Sequence, residues 1–256
     1  MMLRNLLRIV YPLVGTAIIV VAWHYYVVLL QVPLVLLPTP LQVAESLVYQ
    51  SKILADEAWI TALECVYGFL LSLAIGIPIA VVMTYSRIAN LMFYPLLVAS
   101  QSIPKIAIAP ILLVWFGTGM QSKLAMAFVI AFFPIVVDTV TGLRSTSPEL
   151  LELARSLQAS RLQTFFKIQL PSALPSMFSG AKIAVTLAVI GAVIGEFIGS
   201  NEGLGNLLLT ANSQLNTPLV WASLVVLSVL GMVLYGAVVL AEKIFMPWAP
   251  DGGHKH

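Results

Sequence analysis

A chain of 256 residues that is 60% hydrophobic and 9% charged has far less charge than a soluble globular domain, where roughly a quarter of residues are charged. Most of its surface must therefore face something other than water, and a bilayer is the natural candidate. A net charge of +2 is too small to speak for nucleic acid, and the one cysteine, Cys65, excludes an intramolecular disulfide or a cysteine-rich metal site.

Arg4 and Arg8 followed by the apolar run 9–30 have the outline of a signal peptide. The run is too long for a signal core and no small-x-small cleavage site follows, so it reads as a retained first membrane helix. With it, six stretches are long and apolar enough to span a bilayer, roughly 9–30, 61–86, 89–116, 122–143, 176–199 and 219–241. After the first, proline-punctuated chain leads into Leu41, Ala44, Leu47 and Val48 at helical spacing beside Gln42, Glu45 and Gln50. That pattern predicts an amphipathic helix on the outer interface. The second stretch is uncharged from Cys65 to Ser86 and the sixth from Pro218 to Ala241. The third holds Pro95, Pro104 and Pro110 around an internal Lys105, so it is expected to be kinked or broken and shielded by its neighbours. No internal repeat and no separate soluble domain interrupt the pattern, and residues 1–256 read as one membrane domain.

Basic residues orient the spans. With the N-terminus inside, Arg4, Arg8, Arg87, Arg144, Arg155, Arg161, Lys167, Lys243 and Lys255 fall on one side, and Lys182 snorkels back to it. Only Lys52 and Lys123 fall on the other. The positive-inside rule then makes both termini, and the polar segment 144–175, cytoplasmic. The fold class is all-α, about six transmembrane helices with a helix–turn–helix between the fourth and fifth.

That polar segment has well-marked helix signals. Ser147 caps, Pro148 suits the first helical position and Glu149 favours the positive end of the helix dipole. Leu150, Leu151, Ala154 and Leu157 form one apolar face, with Glu149, Glu152 and Arg155 on the others. Ser160 caps a second short helix, RLQTFFKIQL, which Pro171 is expected to stop. A mere connector would be shorter and need not carry Leu150, Leu151, Leu157, Phe165 and Phe166 at helical spacing. A docking surface for a cytoplasmic partner accounts for both features.

The run ELARSLQ, Glu152 to Gln158, followed by IQLP, Ile168 to Pro171, resembles the cytoplasmic signature of ATP-binding-cassette importer permeases. That signature is Glu-Ala-Ala, three residues, Gly, nine residues, Ile-x-Leu-Pro. Glu152, Ala154, Ile168, Leu170 and Pro171 match in register, whereas Leu153 replaces an alanine and Gln158 the glycine that would ease a turn. The blocks LPTPLQVAESL, SIPKIAIAPILLVWFGTGMQSK and GEFIGSNEGLGNLL extend the likeness to the nitrate, sulfonate and taurine branch across nearly the whole chain.

The resemblance implies a pair of permease copies in a bacterial cytoplasmic (inner) membrane, two cytoplasmic ATPase subunits, and a periplasmic or lipid-anchored solute-binding protein. It implies inward movement, by alternating access, of a small solute: an anion such as a sulfonate, nitrate or carboxylate, or a small heterocycle such as a vitamin precursor. The docking residues would be Glu149, Leu150, Leu151, Glu152, Ala154, Arg155, Leu157, Gln158, Ala159, Ile168, Leu170 and Pro171. The chain has no G-x-x-x-x-G-K-[ST] sequence, so ATP and Mg belong to the partner subunits; this chain is not itself an enzyme and binds no cofactor of its own. A self-sufficient secondary transporter or channel would show internal repeats and ion-coupling acids near the midplane. A membrane-embedded enzyme would need clustered His, Asp and Glu or a Ser/His pair, which three scattered histidines do not supply.

Ionisable residues at membrane depth are functional candidates. Asp138 lies near the cytoplasmic end of the fourth span, within reach of interfacial water. Glu196 lies near the outer end of the fifth, placed for hydrogen bonding at an outer gate or for substrate contact. Lys105 either attracts an anionic substrate, snorkels or pairs with an acid. Gly191, Gly195 and Gly199 form a ridge for close helix approach, within the subunit or across a dimer. His24 has no partner at ligand spacing and reads as a packed or interfacial residue, and the closing GGHKH is too short for a metal site.

Overall fold

A computed structural model describes residues 2–248, with side chains from residue 10 onward. Lys255 and the closing GGHKH lie outside the described residues, as do the side chains of Arg4 and Arg8. The described chain is helical throughout. Helix α1 (Met2–Leu29) is followed by α2 (Pro40–Tyr49), α3 (Ser51–Tyr85), α4 (Arg87–Ser100), a 3-10 turn (Lys105–Ile108) and α5 (Ala109–Phe116). Then come α6 (Met120–Arg144), α7 (Pro148–Ser156), α8 (Arg161–Thr164), a π turn (Phe165–Gln169), α9 (Leu170–Gly199), α10 (Leu204–Ser213) and α11 (Thr217–Phe245).

Five uninterrupted helical stretches are long and apolar enough to cross a membrane, and α4 with α5 makes a sixth crossing bent by 96°. Packing shows that this bent pair is a true crossing. Gly68 meets Ala127 and Gly76 meets Ile135, so α3 and α6 run parallel. Parallel neighbours require the intervening chain to return across the full thickness. Helix α9 runs antiparallel to α6: Gly142 faces Ala173, Gly180 faces Asp138 and Gly191 faces Ala127. Six crossings put α7, α8 and the end of α11 at one end of the bundle and α2 and α10 at the other.

The break in the third span falls where Pro104 removes a backbone donor. Helix α4 runs through Pro95 and ends in 3-10 bonds from Gln101 N to Val98 O, Ser102 N to Ala99 O and Ile103 N to Ser100 O. Pro110 is accommodated in the first turn of α5, where its missing N–H costs nothing.

Helix α6 is the centre of the fold, held between α3 and α9 by small residues. Ala127, Ala131, Val136, Ala184, Ala188 and Ala192 are fully buried. With no hydrophobic drive between helices in lipid, such close packing supplies the association energy. The outward faces of α1, α4, α5 and α11 expose large apolar side chains such as Leu91, Trp115 and Met232, as a lipid-facing surface requires.

Three boundaries or faces differ from the sequence expectation. Helix α3 begins at Ser51, ten residues before the expected span, because its polar first turns project beyond the apolar zone. Pro171 does not stop the short second helix: α8 passes through the π turn into α9, one helix from Arg161 to Gly199. The widened turn places Pro171 in the first turn of α9 and absorbs its missing donor. In α2, capped by a Thr39–Gln42 capping box, Val43 and Ser46 face inward while Leu41 and Val48 are exposed; the inward face is rotated relative to the expected one.

Candidate functional site

At the basic end, α7 is capped as expected: Ser147 accepts from Leu150 N, and Pro148 and Glu149 occupy the first turn. Ser160 caps α8 in a reciprocal capping box with Gln163. Between them, Gln158 stands at φ +53°, with Gln158 N donating to Arg155 O at 2.9 Å and Ala159 N to Ala154 O at 2.9 Å. This pair of bonds is the Schellman arrangement that ordinarily ends on glycine. Gln158 therefore adopts the glycine geometry, at a cost of roughly 1 kcal/mol.

The expected apolar face of α7 divides in two. Ala154 is buried and Leu151 half-buried against the bundle. Leu150, Leu157 and Leu153 are exposed, the last two at 72% and 53%, and so are Leu162 and Phe166 on the segment that follows. The correction follows from geometry: positions 150, 153 and 157 share one side of a helix, and the Leu153 of the signature, not Leu151, completes it. Glu149, Glu152 and Arg155 are exposed around the strip, while Ile168, Leu170 and Pro171 are half-buried at the root of α9. Arg155 and Arg161 line a cleft of about 500 Å³ beside Leu151, Ala159 and Gln169. Tyr85, at the end of α3, closes it by hydrogen bonding Gln169.

At the opposite end lies a buried polar cluster. Glu64 on α3, Lys123 on α6 and Glu196 on α9 are 0%, 4% and 1% exposed. Lys123 Nζ lies 2.8 Å from Glu64 Oε1, and the Glu64 and Glu196 carboxyl groups also face each other within the cluster. Thr61 Oγ1 donates to Glu196 Oε1 at 2.6 Å and accepts from Leu204 N at 2.9 Å. Gly205 N donates to Glu196 Oε2, and Gly203 N to Glu57. The first N–H groups of α10 are thus held by side chains of α3 and α9, which fixes α10 over that end of the bundle. Gly203, at φ +99°, leaves no room for a side chain against Glu196.

Sequence reasoning placed Glu196 at this end but passed over Glu64, inside the second span at 61–86, and counted Lys123 only among the outer-side charges. Glu64 and Lys123 each sit one helical turn before Gly68 and Ala127, on the same faces, and the small-residue packing that joins Gly68 to Ala127 brings them together. Lys182, expected to snorkel, pairs with Glu242 of α11 at 2.5 Å. Asp138 is half-buried on α6, against Gly180. The glycine ridge is used within the chain: a Cβ on Gly191 would lie 2.7 Å from Ala127 Cα, one on Gly195 3.0 Å from Lys123 Cα, and one on Gly199 would overlap Leu113. His24 meets Tyr25 edge-on at 6.0 Å. Lys105 lies apart from both clusters, its ammonium 4.8 Å from the centre of the Phe133 ring.

Residues 72–245 match the family of binding-protein-dependent transport system inner membrane components. The chain belongs to that family. As a permease it is 38% identical over 218 residues to a formylaminopyrimidine transport permease of Halalkalibacterium halodurans, covering 83% of this chain and 86% of the relative. It is 30% identical over 236 residues to a putative aliphatic sulfonates transport permease of Bacillus subtilis, covering 91% and 85%. Its fold is that of a chain in an inward-facing structure of the MetNI methionine ABC transporter, with a TM-score of 0.66 at 22% identity over 76% of this permease and 97% of that chain. The permease is therefore a multi-pass membrane subunit of an ABC importer, not itself an enzyme, with ATP hydrolysis assigned to a separate subunit.

Proposed function

We propose that residues 1–256 form one permease unit that pairs with a second copy in a bacterial cytoplasmic membrane and takes a small solute inward by alternating access. Two ATPase subunits dock on the end carrying α7, which is the cytoplasmic end together with both termini, and a solute-binding protein docks on the end carrying α10. The observation that carries this reading is the exposed apolar strip of Leu150, Leu153 and Leu157 on a helix capped at both ends. Apolar side chains displayed in this way on a polar segment mark a protein contact, and the surrounding Glu149, Glu152 and Arg155 suit a polar rim. The relatives named for a formylaminopyrimidine and for aliphatic sulfonates support a small solute, heterocyclic or anionic.

The test is co-purification of the chain with its ATP-binding-cassette ATPase after Leu150→Asp with Leu157→Asp. Both side chains are exposed, so the fold should survive while the complex is lost. Retained binding together with coupled ATPase activity would refute the docking assignment.

A further inference from the structure

Glu64, Lys123 and Glu196 put two acids and one base in a volume closed to water, their side chains 0%, 4% and 1% exposed. The ionisable groups around them are otherwise placed. On α3, Glu57 accepts from Gly203 N and Cys65 is a buried thiol. Lys52, Asp56 and Glu202 are exposed. Helices α5 and α10 have no ionisable residue, and α11 has none between Thr217 and Leu234. Among the described residues Lys123 is therefore the one cation facing the pair. With both acids ionised, the cluster would carry one unbalanced negative charge.

Burying a net charge is costly unless a partner or a proton removes it. The first N–H groups of α10 offset only part of it, since a helix N-terminus carries about half an elementary charge. The two carboxyl groups face each other, and two bare carboxylates sharing a site repel. Their hydrogen bonding is also unequal. Glu196 accepts from Thr61 Oγ1 and from Gly205 N. Among the described residues no hydroxyl or backbone N–H donates to Glu64, which has the Lys123 ammonium at 2.8 Å. A proton between the carboxyl groups removes the excess charge, turns their repulsion into a hydrogen bond and gives Glu64 the further donor it lacks.

We propose that Glu64 and Glu196 form a proton-binding site, one carboxyl protonated and donating to the other, and that this proton is part of the latch on α10. Glu196 reaches α10 directly through Gly205 N, and Thr61 joins it to Leu204 N. When α10 lifts, water enters and the carboxyl pair separates. The O–H bond breaks with both electrons left on the carboxylate oxygen, and the proton passes to water. The latched state thus binds one proton more than the lifted one, so acid favours latching and alkali favours release. The site depends on neither the solute nor the ATPase.

Infrared spectroscopy of the full chain in lipid vesicles at neutral pH tests the proton directly. The C=O band of a protonated carboxyl group should be present and should shift when glutamate carries heavy carbon in its side-chain carboxyl. Glu64→Gln and Glu196→Gln should each abolish it, because each leaves one carboxylate balanced by Lys123; Asp138→Asn should leave it in place. Absence of a glutamate acid band in the unsubstituted chain would overturn the proposal, whether or not the variants fold. The latch is read with Ala211→Cys in a Cys65→Ala background, since residue 211 of α10 is 1% exposed and a maleimide reaches it when α10 lifts. Relative to a free thiol at each pH, labelling should quicken by about tenfold per pH unit while the closed site stays protonated, the slope for release of one proton. Glu64→Gln should flatten that slope. A rate that ignores pH, or a slope that survives Glu64→Gln, would overturn the link to α10.

Discussion

Replacing Lys123 by methionine should expose how the α10 end of the permease is held. The substitution keeps most of the side-chain volume and removes the one cation beside Glu64, which is 0% exposed and otherwise faces only a second buried carboxyl group, Glu196. Removing one partner of a buried ion pair typically costs 3–5 kcal/mol, because the remaining charge is left uncompensated. At roughly 2–4 °C per kcal/mol for a chain of this size, the midpoint of thermal unfolding should fall by about 6–20 °C. Cys65 offers a direct readout: it is the sole cysteine, neighbours Glu64 and is fully buried. A maleimide that fluoresces on meeting a thiol therefore reports the opening of this packed layer in detergent-purified protein. Adding Glu64→Leu to Lys123→Met should restore most of the lost stability, since an apolar replacement of the whole pair is often neutral. An unchanged midpoint for Lys123→Met, or a double variant no better than the single one, would refute the account of the cluster.

Three further outcomes follow from local geometry. Gln158→Gly should raise stability by up to about 1 kcal/mol by relieving the left-handed conformation at φ +53°, read as slower proteolytic nicking between α7 and α8 with the ATPase still bound. Gly191→Val should cost about 1–3 kcal/mol by overpacking, because its Cβ would sit 2.7 Å from Ala127 Cα; Gly231→Ala, with nothing within 4 Å, should leave the thermal midpoint where it is or raise it.

The spans were legible because apolar length is a one-dimensional property, and so were the caps at Ser147 and Ser160, whose partners lie three residues away. The signature marked the segment that folds as α7 and α8, and Gln158 adopts the conformation of the glycine it replaces. The faces were harder. Leu151 and Leu153 are equally apolar, and only the packing of α7 on the bundle decides that the first turns inward and the second outward. Glu64 and Lys123 were missed because a pair formed across two parallel helices has no signature along the chain. Pro171 misled because proline stops a helix only when the preceding turn cannot widen, and here a π turn takes up the strain.

The unbroken run from Arg161 to Gly199 is 39 residues long, about 58 Å at 1.5 Å per residue. It is rooted beside the exposed strip of α7 and carries Glu196 in its last turn. Such a rod is a lever. Tilted by about 5° about its middle, it moves its two ends by about 2.5 Å in opposite directions. That displacement is enough to pull Glu196 out of hydrogen-bond reach of Thr61. A push at the α7 end can thus unlatch α10 at the other without any relay of side chains between them.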